Sequence, residues 1–283
     1  MAFDAIRHLS ETASLPEGQV DLAVTAVALA VPKAKGFVVD RYLNHIKKIC
    51  REVGERYAAL IAEGAADDCG VRLAALKHVL SDRYGYAGDF DESNPDNASL
   101  VRTIDRGKGA PICLGMLYVQ AARAQGWDVA GLDVPGLFVC RIEYRGQRIV
   151  FDPSDHCRRL EAAQLRAIVK SALGENAELS ASYFEPLGNL DWLIRMQNIV
   201  KLRQIDAADY EAALQTVERM RLLNPNEFRL LLDAGVLYAK THKIPDAIAA
   251  LEDYIAKAGN PRDRQDAALL LQKLKDEING QAK

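Results

Sequence analysis

The sequence has no two cysteines at C-x-x-C spacing, and its five histidines never form a spaced ligand set. It therefore predicts neither a bound metal nor a cofactor. The cysteines are odd in number and far apart in a chain of 283 residues, which predicts reduced thiols and a cytoplasmic protein. They are Cys50, Cys69, Cys113, Cys140 and Cys157.

An excess of one charge and a long apolar run are also missing. Lys and Arg number 36 against 39 Asp and Glu, so no basic field points to nucleic acid. The longest apolar run, residues 22–31, ends at Pro32 and falls short of the roughly 20 residues that cross a bilayer. Residues 1–12 lack the charged-then-apolar order of a secretory signal. We expect no nucleic-acid or membrane partner, and the sequence carries no signal for an oligomeric state.

About half of the residues, 49%, are hydrophobic, and those in the first third recur with helical spacing. The pattern predicts a buried helix up to Val31, a second helix capped by Asp40, and a third helix with Leu73, Leu76 and Leu80 facing inward. Residues 84–98 are crowded with Gly, Asp, Asn and Pro, which predicts a loop.

The middle of the chain predicts a central helix followed by a hairpin. Residues 111–126 begin with a proline suited to the first helical position, end at a glycine, and are apolar around most of the circumference. Residues 134–144 and 147–151 read as strands joined by a tight turn at Arg145 and Gly146. Helices followed by a small antiparallel sheet predict the α+β class.

The last third predicts helices with an internal repeat. Tyr210, Ala213 and Leu214 recur 34 residues later as Ile244, Ala247 and Ile248, and 34 is the tetratricopeptide period. Two helical hairpins are fewer than a free-standing solenoid needs, so we expect this part to pack on the first domain. The sequence predicts two domains, residues 1–188 and residues 189–283.

Cys113 lies two residues after the proline that begins the central helix. Unpaired amides and the helix dipole at that end favour an anion, so the position suits a thiolate nucleophile. A small apolar residue filling the core is an equally good interpretation.

The string RGKGAPICLGMLYVQAARAQGWDVAGLDVPGLFVCR resembles the signature of bacterial SirB-type proteins, in which a transglutaminase-like domain precedes tetratricopeptide helices. Residues 109–114, 135–138 and 152–153 match its three blocks in order. Upstream, residues 84–89 resemble a Gly-Phe-x-Gly-Asn turn of the family, and residues 97–100 resemble its Asn-Ser-x-Leu motif. The resemblance implies a papain-like fold for the first domain and covers most of the chain.

The resemblance also implies a catalytic triad: Cys113 as nucleophile, Asp152 as orienting acid, and a histidine at the position that Leu137 occupies. An isobutyl group accepts no proton, so both nucleophile activation and general acid–base catalysis, worth about 10²–10⁴-fold, would be lost. We therefore expect a degenerate triad. The same mapping predicts that Leu137 and Asp152 project from adjacent strands toward the sulfur of Cys113.

Alternatives remain open at three positions. His156 follows Asp152 closely and is a candidate substitute base, or else a solvated loop residue. Asp152 before a proline also suits a turn, and Asn97 also suits a helix cap.

The sequence thus predicts a non-catalytic protein-binding or regulatory factor, with its partner bound by the tetratricopeptide-like part or the cleft. A cysteine hydrolase or amide transferase using Cys113 is the alternative, and a redox-sensitive thiol at Cys113 is a third.

Overall fold

The structure, a computed structural model, describes residues 3–32, 36–91 and 94–281. The chain divides into two compact units: Met1–Ala5 with Pro16–Met196, and Ile6–Leu15 with Gln197–Lys283. Within the described ranges, no helix combines the length and apolar character that a membrane span requires.

Helices build most of the first unit. Their bounds are α1 Ala5–Thr12, α2 Leu22–Ala30, α3 Val39–Ala62, α4 Cys69–Leu76, α5 Leu100–Arg106, α6 Pro111–Arg123 and α7 Ala162–Leu173. Ala5 alone of α1 belongs to this unit. Helix α4 continues into a π-helical segment, Lys77–Arg83.

The helix boundaries follow local chemistry. Asp21 caps α2, because its carboxylate accepts a hydrogen bond from the Val24 amide at 3.0 Å. Asp40 lies inside the first turn of α3, so its predicted role as the cap of this helix was wrong. Leu73, Leu76 and Leu80 are buried, as predicted.

The main sheet is antiparallel and has four strands in chain order: β3 Asp128–Val134, β4 Leu137–Tyr144, β5 Gln147–Asp152 and β6 Arg158–Arg159. A second, parallel pair joins β1 Ala87–Gly88 to β2 Lys108–Gly109. The α+β class is confirmed.

Two tight turns set the register of the main sheet. The turn at Arg145 and Gly146 is confirmed, and both residues have the positive φ that a type I′ hairpin requires. Val134 pairs with Leu137 across a second turn, in which Gly136 has φ +87°. The predicted single strand over residues 134–144 is therefore wrong: a turn at Pro135 and Gly136 separates β3 from β4.

The two faces of the sheet pack differently. A Cβ added to Gly115 of α6 would lie 2.6 Å from the Phe138 ring and 3.2 Å from the Cys140 sulfur, so these two residues face α6. Side chains alternate along a strand, so Val139 points to the opposite face. There it joins a buried cluster, here called the α7-side cluster: Leu132, Val134, Val139, Val150, Leu160, Leu165 and Val169.

The second unit contains most of the repeated helices. Helix α8, Asn189–Asp206, crosses the division between the units and is followed by α9 Tyr210–Leu223, α10 Arg229–Lys240, α11 Ile244–Lys257 and α12 Pro261–Gln281.

The predicted 34-residue repeat is visible in the backbone of this unit. Ala208 and His242, which are 34 residues apart, both have positive φ. The residue after each of them closes the preceding helix. The Asp209 amide donates to the Gln204 carbonyl at 2.8 Å, and the Lys243 amide donates to the Tyr238 carbonyl at 2.9 Å.

Candidate functional site

Cys113 lies in the first turn of α6, two residues after Pro111. Its side chain is fully buried, and all residues from Ile112 to Val119 belong to the buried interior. The first-turn position and the buried character of this helix were both predicted. The thiol is therefore shielded from solvent in this conformation.

Asn97 holds the chain at the entrance of α6. Its carbonyl accepts a hydrogen bond from the Ala110 amide at 2.7 Å, and its side-chain amide donates to the carbonyls of Asp89 and Asp91 at 3.2 and 2.5 Å. The residue is fully buried, where an unsatisfied amide would be costly. Asn97 thus fixes the loop before α6.

The N-cap of α5 is Ser99 and not Asn97. The interpretation of Asn97 as a helix cap was therefore wrong. Its side-chain amide instead donates to the carbonyls of Asp89 and Asp91, which lie in the preceding loop. The Gly, Asp and Asn content of residues 84–98 signalled a loop but not which side chain would organise it.

A backbone network joins the residues before α6 to the turn after Asp152. The Gly88 amide donates to the Ser154 carbonyl, and the Asp89 amide donates to the Gly109 carbonyl, each at 2.9 Å. Gly109 precedes Pro111 by two residues. The block at residues 109–114 and the residue that follows the block at 152–153 therefore both bond the segment 88–89.

Asp152 is 3% exposed and its carboxylate is satisfied locally. One oxygen accepts hydrogen bonds from the amide and hydroxyl of Ser154, at 2.8 and 2.5 Å. The other lies 3.9 Å from the Arg158 guanidinium. A bond to the amide two residues ahead is the pattern of an Asx-turn, so the carboxylate stabilises the turn that follows β5.

Leu137 packs against the α7-side cluster. Leu137 lies two residues before Val139 on β4, so both side chains point to the same face of the sheet, whereas Phe138 between them faces α6. The structure thus differs from the expected projection of Leu137 toward Cys113. A residue at position 137 points to the face of the sheet away from α6.

His156 is exposed and forms a hydrogen bond elsewhere. Its Nδ1 lies 2.7 Å from the hydroxyl of Ser81, in the π-helical segment. His156 and Cys157 both have positive φ, at 46° and 55°, a conformation that costs energy for residues other than glycine. The geometry shows His156 anchoring a strained turn.

Two further buried thiols lie in this part of the first unit. Burial raises the pKa of Cys157 to about 12 and also raises the pKa of Cys140. At neutral pH both groups are protonated and weakly nucleophilic.

Among the residues that the structure describes, no group of three or more His, Cys, Asp and Glu side chains could hold a metal ion.

Comparison with known proteins gives two matches along the chain. Residues 200–275 match a tetratricopeptide repeat family, and residues 40–198 match the transglutaminase-like superfamily.

Several bacterial proteins named "UPF0162 protein" are similar in sequence to this chain. One from Xylella fastidiosa (strain Temecula1) is 27% identical over 65% of this chain and 67% of its own length. A second, from Xylella fastidiosa (strain 9a5c), is 28% identical, and its alignment spans 61% of that relative. One from Vibrio cholerae is 23% identical over 82% of this chain and 85% of its own length. Because the superfamily match covers more than half of the residues, the chain belongs to the transglutaminase-like superfamily.

Proposed function

We propose that the chain is a bacterial, cytoplasmic, SirB-type protein that binds a partner protein and whose transglutaminase-like triad is degenerate. The observation that carries the proposal is the environment of Cys113. Its thiol is fully buried, and the position mapped to the histidine is a leucine that packs on the opposite face of the sheet.

Acyl transfer by a cysteine needs a base within hydrogen-bond reach of the thiol, roughly 3 Å. Leu137 has no proton-accepting atom. His156 is exposed and bonded to Ser81, whereas Cys113 is shielded from solvent. These placements support a protein that does not use Cys113 for turnover.

The second unit supports a protein-binding role, because tetratricopeptide repeats generally mediate interactions between proteins. Leu202 of α8 and Val236 of α10 are 34 residues apart and thus occupy equivalent repeat positions. They are 56% and 37% exposed. The first unit is the alternative binding place. The five free cysteines support the cytoplasm as the compartment.

One observation favours the competing function of a cysteine hydrolase or amide transferase. Cys113 lies in the first turn of α6, where the helix dipole stabilises a thiolate. Turnover by such an enzyme would need the buried Cys113 thiol to become accessible and an unidentified base to approach it.

The test is turnover by the purified full-length chain. A glutamine-containing peptide is supplied with and without a primary amine, and ammonia release and amine incorporation are measured for the wild type and for Cys113→Ser. We expect no difference between the two proteins. Ammonia release that disappears in Cys113→Ser would establish the enzyme instead.

A further inference from the structure

The second unit contains a cavity of about 410 Å³ between α9, α11 and the connection into α10. It is here called the α9–α11 cavity. Its volume falls in the range of roughly 300–1,000 Å³ that is typical of ligand sites. The charged residues lining it are Glu218, Arg221, Glu227, Asp253 and Lys257, and the apolar residues are Leu222, Pro225 and Leu231.

The α9–α11 cavity is lined by charged side chains of both signs. Three of them form no ion pair with the part of the chain that the structure describes. In the described part of the chain, Arg221, Asp253 and Lys257 take part in no ion pair within 4.0 Å, although they line the same cavity. Glu227 accepts a hydrogen bond from the Arg229 amide at 3.1 Å, and Glu218 accepts one from the Tyr238 hydroxyl at 3.2 Å. The cavity therefore presents opposite charges that are available to a ligand carrying both signs.

The two repeats use the position of Arg221 differently. The residue 34 positions later is Ile255, which is partly buried against the hydrophobic cluster shared by α10, α11 and α12. In the second repeat this position thus contributes to the core. In the first repeat the same position carries a guanidinium that lines a cavity.

We propose that the α9–α11 cavity binds an extended peptide segment of a partner protein in which an acidic and a basic side chain flank an apolar one. The acidic side chain pairs with Arg221 or Lys257, and the basic one pairs with Asp253 or Glu227. The apolar one packs on Leu231. Three extended residues span about 10 Å, so one such segment matches a cavity of this size. The proposal rests on the protein-binding role proposed above and specifies the chemistry of the partner.

Capped tripeptides added to the ¹⁵N-labelled full-length chain test this proposal. The peptides are Glu-Leu-Lys, Lys-Leu-Glu and, as the neutral control, Gln-Leu-Gln. We expect at least one charged peptide to shift amide signals of the residues that line the cavity, with weaker binding at high salt. The neutral peptide should bind roughly tenfold more weakly or not at all.

Charge reversal then identifies the site. Arg221→Glu should weaken the favoured peptide roughly tenfold and should improve the binding of Lys-Leu-Lys. Arg264→Glu is the matched control, because Arg264 is exposed on α12 and does not line the cavity. This control should bind like the wild type.

The proposal is overturned if the neutral peptide binds as well as the charged ones, if the shifts map elsewhere, or if Arg221→Glu and Arg264→Glu bind alike. Such a result leaves the degenerate triad intact, since that depends on turnover by Cys113. Conversely, Cys113-dependent turnover would defeat the proposed function without changing the peptide result.

Discussion

Position 137 shows how the identity of one side chain and the face on which it lies bear separately on catalysis. The leucine side chain carries no proton-accepting group, and the alternation of side chains along β4 directs it into the α7-side cluster. A histidine introduced at this position would therefore place its imidazole on the face of the sheet away from α6.

We predict that Leu137→His does not produce Cys113-dependent amide turnover. It should also lower the free energy of unfolding by about 1–3 kcal/mol, because an imidazole would enter an apolar cluster without hydrogen-bond partners. Urea denaturation and the ammonia-release assay measure the two effects. Leu137→Met is the control, with an expected cost below about 1.5 kcal/mol.

A gain of turnover in Leu137→His that Cys113→Ser abolishes would contradict this placement of residue 137.

The sequence predicted the helical position of Cys113 but could not predict which way residue 137 points. A proline before α6 and its apolar circumference are local signals. The face of Leu137 depends instead on where the first hairpin turns, and a shift of one residue reverses every side chain of a strand. The sequence pattern predicts alternation along β4 but places the turn at Pro135 and Gly136 inside a strand, and it does not indicate which face of the sheet meets α6.

At the scale of elements, α6 packs closely on the sheet because Gly115 has no side chain. Phe138 and Cys140 occupy the space that a Cβ would need. The contact is therefore sensitive to a single added methyl group.

We predict that Gly115→Ala lowers the free energy of unfolding by about 1–3 kcal/mol, since the overpacked methyl group forces the Phe138 ring to move. Gly18→Ala is the control, because a Cβ there would meet nothing within 4 Å. Thermal or urea unfolding measures both variants. Equal stability of the two would show that α6 and β4 do not pack as described.

Asp67 connects α4 to the sheet through charge-assisted hydrogen bonds. It accepts from Arg72 at 3.0 and 3.2 Å and from the Tyr144 hydroxyl at 2.6 Å. The bonds from Arg72, followed by those from tyrosine, hold the pKa of the Asp67 carboxyl well below its usual value. A depressed pKa stabilises the fold above the unfolded value of about 3.9, and this contribution is lost as the pH falls below it.

We predict that Asp67→Asn destabilises the protein at pH 7 and makes its stability less dependent on pH between 4 and 2. Urea unfolding at several pH values measures the change. Asp128→Asn, at an exposed position, is the control and should keep the pH dependence of the wild type. An unchanged slope in Asp67→Asn would contradict the role of this carboxylate.

Elements with strong local periodicity were predictable, and those defined by distant contacts were not. The helices and the 34-residue repeat follow from apolar spacing within one segment. Strands β1 and β2 are each only two residues long, and they pair residues about 20 positions apart in sequence. Strands this short show no hydrophobic periodicity from which they could be predicted.

At the scale of the whole molecule, the start of the chain belongs with its end. Residues Ile6–Leu15 cluster with the second unit, and Leu9 of α1 is fully buried. No local pattern in the sequence indicates that residues 6–15 belong to the second unit, because this depends on contacts between residues far apart in the chain. The predicted boundary before residue 189 coincides with the start of α8, whereas the units divide after Met196, inside that helix.

We predict that Leu9→Ala lowers the free energy of unfolding by about 2–5 kcal/mol, because it leaves a cavity where a buried leucine was. Ile6→Ala, on the same helix but 53% exposed, should cost much less. Chemical denaturation of the full-length variants measures both. Equal costs would mean that α1 does not bury Leu9.

The central claim is that the transglutaminase-like unit holds Cys113 as a buried, inert thiol. The most direct measurement is the rate of iodoacetamide alkylation of Cys113 in the native full-length chain between pH 6 and 9, followed by mass spectrometry of the cysteine-containing peptides. The account predicts slow modification of Cys113 that becomes rapid only when denaturant unfolds the chain. Rapid alkylation of the native protein near pH 6, faster than that of its other thiols, would reveal an accessible thiolate and contradict the account.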